Sequence, residues 1–328
     1  MSSSSAGGAP ASGALASQRA RRLLVVGNVN VDVLMGDLAP WPQPGTEALV
    51  ERYELRVGGA AGNTALALAA LGASAEHGAA NGATPAGSQG AVSGALLNTD
   101  VIATVGDDAL GRWLEAELGH VTRLTRVPVA TALTVGLTHP DGQRTFVSYM
   151  GHLHELPLTR IESALEAARP GDMLLLCGYF LMPGLRHQAP ALLRRARAKG
   201  VLTALDTGWP PEGWTSAVRG ELLDLMPHLS VFLPNREELL GVVAEPDPGA
   251  YEPGVVRRAV ARLAASGLER VVVKLGAAGA MHAGPEGEQL AAAPQVRVQD
   301  TVGAGDTFNA GLLAAVQRGQ SWREALAP

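Results

Sequence analysis

The chain has 328 residues, a net charge of −5 and a hydrophobic fraction of 47%, with 17% of its residues charged. This composition is typical of a folded globular protein and argues against an intrinsically disordered chain or a general nucleic-acid binder. No segment is apolar and long enough to predict a membrane span, and the single cysteine, Cys177, excludes an internal disulfide framework. We therefore expect a cytoplasmic protein without nucleic-acid or membrane partners.

The first 22 residues are rich in Ser, Ala and Gly and end in a short arginine-rich run. They lack the charged start and apolar core of a secretory signal, so we expect a disordered tail at residues 1–22. One large domain is expected over residues 23–328, because a chain of this length can bury a substantial core.

Short apolar runs and helical patterns alternate along the rest of the chain. Runs rich in Leu and β-branched residues are typical of strands buried on both faces. The strand-like runs lie at 23–26, 101–105, 173–176, 201–205, 231–233 and 271–273, and the Ala- and Leu-rich helical patterns lie at 63–71, 161–168, 191–198, 257–265 and 307–317. This alternation predicts an α/β fold in which helices cover both faces of a mostly parallel central sheet.

Two segments break the alternation and predict a small second sheet. Residues 49–57 and 130–149 have strand character, and the second segment contains Asp141-Gly142, a dipeptide typical of hairpin turns. We expect antiparallel strands that form a lid on the main domain, with lid segments at about 40–57 and 129–150. Residues 75–99 are rich in Gly, Ala, Ser, Asn and Thr without periodicity, which predicts a flexible insertion.

Near the end of the chain, residues 300–308 read Asp-Thr-Val-Gly-Ala-Gly-Asp-Thr-Phe and place a glycine-rich turn directly before an apolar helix. Unpaired N–H groups at such a helix start, together with the helix dipole, favour the binding of an anion such as a phosphate. Asp306 would repel a phosphate, so its place here favours another role, acceptance of the proton of an attacking hydroxyl. Taken alone, the short pattern is equally consistent with a loop whose aspartate caps the helix.

Two motifs in the first quarter of the chain could hold a small polar molecule. Asn28 and Asp32 follow the first strand, at the edge of an α/β sheet where ligands bind, and Asp32 could accept hydrogen bonds from two hydroxyls. Gly58, Gly59 and Asn63 lead into a regular helix, where small residues let the backbone approach a ligand. An ordinary loop aspartate, and a glycine turn capped by the asparagine, are the alternative interpretations.

Two further motifs follow later strands. Asn235 and Glu238 lie three residues apart at a predicted helix start, where an amide and a carboxylate on one face suit a hydrated Mg²⁺ near phosphates. The alternative is an acidic helix N-terminus without a ligand. Lys274, Gly276 and Gly279 end a β-branched strand with a turn that could form one wall of a nucleotide site, and a simple β-turn is the alternative.

Together these motifs resemble the ribokinase-like (PfkB) carbohydrate kinase family. The resemblance covers residues 23–315, and its most specific part is the Asp-Thr-x-Gly-Ala-Gly-Asp-Thr-Phe string, which is intact at residues 300–308. It implies a ribokinase-like three-layer α/β/α domain with a small β-sheet lid over the sugar. It also implies Mg²⁺-dependent transfer of a phosphoryl group from ATP to a hydroxyl of a small sugar.

The resemblance further implies a role for each motif. Asp306 would be the general base, and the backbone N–H groups of Gly303, Ala304 and Gly305 would form the anion hole for the transferring phosphoryl group. The residues that would hold the acceptor are Asn28, Asp32, Gly58, Gly59 and Asn63, together with Asp306 itself. The nucleotide would lie along Asn235, Lys274, Gly276, Gly279, Thr301, Gly303 and Gly305. Mg²⁺ would be organised, through water, by Asn235 and Glu238.

Several alternatives stay open at this point. Ala60, not a lysine, follows the glycine pair, which favours a non-phosphorylated acceptor, and a nucleoside kinase of the same family is the next interpretation. The chain stops at Pro328, before a segment with which family members normally wall the adenine pocket, so a non-catalytic sugar or nucleotide binder is a third. The resemblance also allows a homodimer through the lid and activation by a monovalent cation. Arg144, in the lid hairpin, could touch the substrate, but a solvated turn charge is the preferred interpretation.

Overall fold

The computed structural model describes residues 21–38, 41–78, 98–119, 121–139, 144–298 and 300–326. The tail expected at residues 1–22 and the insertion expected at 75–99 lie mostly outside these ranges, as does the Asp141-Gly142 turn. These expectations, and the extent of the single domain, therefore stay predictions. Within the described ranges, no helix combines the length and the hydropathy that crossing a bilayer requires.

The main sheet contains eight strands from the described part of the chain. In chain order they are β1 (Leu23–Val26), β4 (Thr99–Ile102), β9 (Met173–Cys177), β10 (Leu202–Asp206), β11 (Val231–Phe232), β12 (Val271–Lys274), β13 (Ala280–Gly284) and β14 (Gly287–Ala291). Their spatial order is β14-β13-β12-β11-β10-β9-β1-β4, and all neighbours from β12 to β4 are parallel. The six predicted apolar runs supply these parallel strands, while the antiparallel β13 and β14 were not predicted.

A second, four-stranded sheet, which we call the lid sheet, has the spatial order β3-β2-β7-β8. Its strands are β2 (Asn30–Gly36), β3 (Arg52–Gly58), β7 (Leu133–Thr138) and β8 (Arg144–Tyr149). Both predicted segments supply antiparallel strands of this sheet, because β3 pairs antiparallel with β2 and β7 pairs antiparallel with β8. The prediction missed β2, which lies between the two segments and pairs in parallel with β7. The alternation of Asn30 and Asp32 with Val31 and Val33 is the period-two pattern of a half-buried strand, and not the polar end of the first core strand.

The predicted run at 101–105 is likewise divided. The first part of this run belongs to β4, which ends at Ile102. The second part begins another strand at Thr104, β5, which pairs in parallel with a further short strand, β6, in a separate two-stranded sheet. The bounds of these two short strands are Thr104–Gly106 and Thr125–Val127.

Helices cover both faces of the main sheet. Their bounds are α1 (Ala60–Gly78), α2 (Ala109–Leu118), α3 (Leu158–Ala167), α4 (Pro183–Ala198), α5 (Ser216–Leu225), α6 (Arg236–Val243), α7 (Pro253–Ala265), α8 (Ala304–Gln317) and α9 (Trp322–Leu326). Leu24 and Val26 of β1 pack in one buried cluster with α3 to α7, whereas Leu23 and Val25 pack in another with α1, α2, α8 and α9. Because successive side chains of a strand point to opposite faces, one short apolar strand serves both cores, which confirms the predicted three-layer α/β/α fold.

Candidate active site

An open cleft of about 1650 Å³ lies between the carboxyl edge of the main sheet and the lid sheet. The main sheet contributes the residues at or just after the ends of β1, β9, β10, β11 and β12, and the lid sheet contributes Asn30, Asp32, Thr134, Phe146 and Ser148. Parallel strands bring their carboxyl ends to one edge, so motifs that are far apart in sequence meet there.

One end of the cleft carries a chain of amides that terminates at Asp32. The backbone N–H of Ala60 donates to Asn28 Oδ1 at 3.1 Å, so the amide nitrogen of Asn28 faces Asn30 and donates to its Oδ1 at 3.1 Å. Asn30 in turn donates to Asp32 Oδ1 at 2.7 Å. Each hydrogen bond in this series therefore runs from donor to acceptor toward Asp32, and the Asp32 carboxylate is left to accept hydrogen bonds from hydroxyl groups. Burial is the main reason why the pKa of Asp32 is raised to about 6.

The glycine pair allows the end of β3 to pass close to this chain of amides. A side chain at Gly58 would collide with the Asp32 carboxylate, so Gly58 lies behind Asp32 and does not line the cleft. Gly59 has a φ of +84° and also leaves no room for a side chain beside the carbonyl of Asn28. Gly59 lines the cleft, as predicted, whereas Gly58 packs against Asp32, which lines it.

Asp306 lies in the first turn of α8 and faces Asn63 of α1. The Asn63 amide donates to Asp306 Oδ2 at 2.9 Å. Burial, reinforced by the negative charge of Asp206, raises the pKa of Asp306 to about 7, although Asn63 and Lys274 act in the opposite direction. A carboxylate with a pKa near neutrality is suited to accept a proton from a hydroxyl and to release it afterwards.

The turn before α8 offers backbone donors beside Asp306. Gly303 has a φ of +72°, in the left-handed region that favours glycine. The N–H of Ala304 donates to Thr301 O at 3.2 Å, whereas the N–H groups of Gly303 and Gly305 have no hydrogen-bond partner within the described residues. Of the predicted anion-hole residues, two thus present free donors to the cleft. Thr301 is exposed and does not line the cleft, unlike the turn residues that follow it.

A buried ion pair lies next to this turn, between the ends of two strands. Lys274 Nζ donates to Asp206 Oδ2 at 2.6 Å, and Asn309 of α8 donates to the same oxygen. Burial alone would lower the pKa of Lys274, but the charges of Asp206 and Glu238 outweigh it and the pKa is raised. Asp206 and Asn309 were not predicted as site residues. The one sequence signal was the position of Asp206 directly after the apolar run at 201–205.

Asn235 and Glu238 cap the start of α6 and also face the cleft. The N–H of Glu238 donates to Asn235 Oδ1 at 2.8 Å, and the N–H of Asn235 donates to Glu238 Oε2 at 2.9 Å, which is a reciprocal cap of α6. Both residues also line the cleft. Burial, and then the charge of Asp206, raises the pKa of Glu238 to about 7. The Glu238 carboxylate and the Asn235 amide oxygen are ligands of the kind that a partly hydrated Mg²⁺ accepts.

The Lys274 motif also lies in the cleft. Gly276 has a φ of +58° and Gly279 a φ of +97°, and the turn is closed by a hydrogen bond from Leu275 N to Gly279 O at 2.8 Å. All three predicted residues of this motif line the cleft, on the side of the turn before α8.

Asp300, which the sequence left without a role, is held by two arginines of the lid sheet. Arg144 Nη1 donates to Asp300 Oδ1 at 2.7 Å, and Arg56 donates to Oδ2. The expectation that Arg144 is a solvated turn charge was therefore wrong, because its partner lies 156 positions away in the chain.

Comparison with known proteins identifies the family. The sequence model of the family described as "pfkB family carbohydrate kinase" matches residues 20–327. A ribokinase from Arabidopsis thaliana is 27% identical over 316 residues, which cover 93% of this chain and 73% of the relative. A 1-phosphofructokinase from Rhodobacter capsulatus is 32% identical over 212 residues, 62% of each chain.

Solved structures agree on the fold. Arabidopsis thaliana ribokinase complexed with ribose and ATP superposes with a TM-score of 0.71 at 22% identity, over 94% of this chain and 89% of that one. Phosphofructokinase-2 from Escherichia coli in complex with fructose-6-phosphate superposes with a TM-score of 0.68 at 20% identity, over 94% and 90%. The chain therefore belongs to the pfkB family of carbohydrate kinases, which are ribokinase-like phosphotransferases with an alcohol group as acceptor.

Proposed function

We propose that this protein transfers the γ-phosphoryl group of ATP to a hydroxyl of a small, non-phosphorylated sugar, with Asp306 as the general base. The observation that carries the proposal is the Asp306 carboxylate, held at 2.9 Å by Asn63 and raised in pKa to about 7, at the start of a helix whose free N–H groups face the same cleft. The acceptor oxygen would attack the γ-phosphorus, the bond from that phosphorus to the bridging oxygen would break, and ADP would leave. The hydroxyl proton would pass to Asp306.

The N–H groups of Gly303 and Gly305 would stabilise the charge on the transferring phosphoryl group. They lie at the positive end of α8, where the helix dipole adds to the two hydrogen bonds. Ala304 would join them only if its N–H left Thr301 O, to which it donates at 3.2 Å.

Nucleotide binding is assigned to the part of the cleft that contains Lys274, Gly276, Gly279 and Asn235, with Thr301 at its margin. We place Mg²⁺ at Asn235 and Glu238, through water, and add Asp206 to that set because its charge is one cause of the raised pKa of Glu238. When bound, the ion would neutralise charge on the phosphates of the nucleotide.

The charges that line the cleft support a neutral acceptor. Asp32 and Asp306 flank the acceptor end, while the two lining cations, Lys274 and Arg236, lie toward the nucleotide end and are already paired with carboxylates. A phosphate on the acceptor would therefore meet carboxylates without a described cation to receive it.

A nucleoside is the second candidate acceptor. Two aromatic side chains that line the cleft are exposed, Phe146 of the lid sheet by 53% and Trp209 after β10 by 57%. Aromatic faces of this kind can stack on a planar base, and they can also cover the apolar face of a sugar.

The test is ADP release from Mg-ATP with ribose, fructose, 2-keto-3-deoxygluconate and nucleosides as acceptors. A chelator and the Asp306→Asn variant serve as controls. Acceptor-dependent release that is lost in both controls supports the proposal, and the preferred acceptor decides between sugar and nucleoside. Calorimetric binding of an acceptor without any ADP release would favour a non-catalytic binder and contradict the proposal.

We further propose a homodimer through the lid sheet. Phe146 and Ser148 of β8 line the cleft, so Val147 and Tyr149 face the other way, where they are 59% and 55% exposed. An apolar sheet face of this kind favours association with a second copy. Light scattering should give a dimer for the wild type and a monomer for Val147→Asp, and a monomeric wild type at micromolar concentration would contradict the proposal.

Activation by a monovalent cation is part of the same proposal. A solved structure of Escherichia coli phosphofructokinase-2 is described as a complex with potassium, which is a property of that protein. ADP release in potassium chloride should exceed that in tetramethylammonium chloride at equal ionic strength, and equal rates would remove the cation from the proposal.

A further inference from the structure

We propose that Asp300, Arg56 and Arg144 form a clasp that fixes the lid sheet against the turn before α8, and that these three are positioning residues for acceptor binding, a role that rests on the proposed function. None of them lines the cleft. Their effect would pass through the residues that do, Asp32 on the lid sheet and Gly303 in the turn.

One carboxylate makes all the contacts of the clasp. Asp300 Oδ1 accepts from Arg144 Nη1 at 2.7 Å and from the backbone N–H of Val302 at 2.9 Å, while Oδ2 accepts from Arg56 Nη1. The three side chains are partly buried, with 23% exposure for Asp300 and Arg144 and 37% for Arg56. Charge-assisted hydrogen bonds in such a setting are stronger than exposed surface pairs.

The two arginines lie on opposite edges of the lid sheet. Arg56 belongs to β3 and Arg144 to β8, and the spatial order β3-β2-β7-β8 makes these the edge strands. A contact at one edge would leave the sheet free to pivot about that edge, whereas contacts at both edges to one carboxylate fix its orientation. Asp32 lies on β2 directly opposite Arg56, so the acceptor-binding carboxylate is held in the same register.

The same carboxylate shapes the turn that carries the free donors. The hydrogen bond from Val302 N to Asp300 Oδ1 closes a local turn one residue before Gly303. Movement of the lid sheet away from Asp300 would therefore disturb both Asp32 and the N–H group of Gly303. This shared contact couples acceptor binding to the arrangement of the anion hole.

The positive and negative charges of the clasp balance, so the clasp is not a binding site for a phosphate group. Arg56 also donates to Glu54 Oε2 at 2.6 Å, so two arginines face two carboxylates. Partial burial would raise the pKa of Asp300, but its hydrogen bonds from Val302 N and the two arginines hold that pKa well below the usual range. The carboxylate thus stays ionised at neutral pH, and no unpaired cation is left for a phosphorylated acceptor.

The test uses three variants, Arg144→Gln, Asp300→Asn and the combination of these two. Arg52→Gln is the control. Arg52 is the matched control, because it is an arginine of the same strand as Arg56 but pairs with Asp37 at 3.0 Å and not with the turn. The first measurement is hydrogen exchange of β3 and β8 in the protein without substrates, which does not depend on activity. The second is KM for the acceptor, KM for ATP and kcat.

We expect faster exchange in β3 and β8 and an acceptor KM raised about tenfold in both single variants, with KM for ATP within about twofold. The double variant should be no worse than Asp300→Asn, because both changes break the same contact. Unchanged exchange and an unchanged acceptor KM in the variants, or an equal effect of Arg52→Gln, would overturn the clasp. If the wild type is active in that case, the proposed function still stands. Faster exchange in the variants, together with a wild-type protein that phosphorylates no acceptor, would instead retain the clasp as a lid contact and remove the proposed function.

Discussion

Replacement of Asp306 by asparagine should lower turnover by orders of magnitude and, at the same time, make the protein more stable. The native pKa of Asp306 is about 7, against an ordinary value of 3.8, because the carboxylate is partly buried and lies near the negative charge of Asp206. The native state therefore retains a proton that the unfolded state has lost between these values, so the free energy of unfolding falls as pH rises through this window. Above about pH 7, the full cost of the buried charge is present.

The size of the effect follows from the two pKa values. A difference between 3.8 and about 7 corresponds to ~4 kcal/mol if it is fully realised. Because the carboxyl group is only partly buried and solvent screens it, we expect the variant to gain about 1–3 kcal/mol near pH 8. Near pH 5 the wild-type carboxyl is protonated in the native state, and the gain should shrink to roughly a third.

Urea unfolding in metal-free buffer measures this gain, since a bound cation would offset the cost of the charge. Activity should move in the opposite direction, with kcat lower by ~10²–10⁴-fold. In the wild type, kcat/KM for the acceptor should rise with pH and level off above about pH 7. A variant that is less stable at both pH values, or a gain that does not depend on pH, would refute the assignment of the raised pKa to burial, and near-normal turnover would refute the role as a base.

Three further substitutions test other parts of the site. Lys274→Met should lower the free energy of unfolding by about 3 kcal/mol near pH 7, because it leaves Asp206 buried without its partner at 2.6 Å; wild-type stability in urea would show that the pair contributes nothing. Gly303→Ala should reduce kcat at least ~10-fold, since its φ of +72° disfavours any side chain and the new methyl group would lie 3.1 Å from the Asn63 amide; an unchanged kcat in steady-state assays would argue against the anion hole. Asp32→Asn should raise the acceptor KM about 10- to 100-fold with KM for ATP unchanged, and an equal rise in both constants would place Asp32 outside the acceptor site.

The parts of the fold that could be predicted from the sequence are those with a strong local pattern. Each buried parallel strand is a short apolar run, and each motif at a strand end meets the others because parallel strands share an edge. The strand β2 was missed because its polar alternation directly follows the apolar run at 23–26, so one pattern obscured the other.

The contacts that complete the site could not be predicted, because their partners are far apart in the chain. Asn309 meets Asp206 across 103 positions, and Arg56 meets Asp300 across 244. No local periodicity identifies such pairs. The Asn235 motif shows a different difficulty, because the same two side chains cap a helix and line the cleft, so neither interpretation excluded the other.

The most direct test of the proposed reaction follows the γ-phosphorus itself. The protein is incubated with Mg-ATP labelled in the γ-phosphoryl group and with the preferred acceptor, and the labelled products are separated. We predict that the label appears in a phosphate ester of the acceptor for the wild type and stays in ATP for Asp306→Asn. Label found only in inorganic phosphate, or equally in the ester with both proteins, would contradict acceptor activation by Asp306.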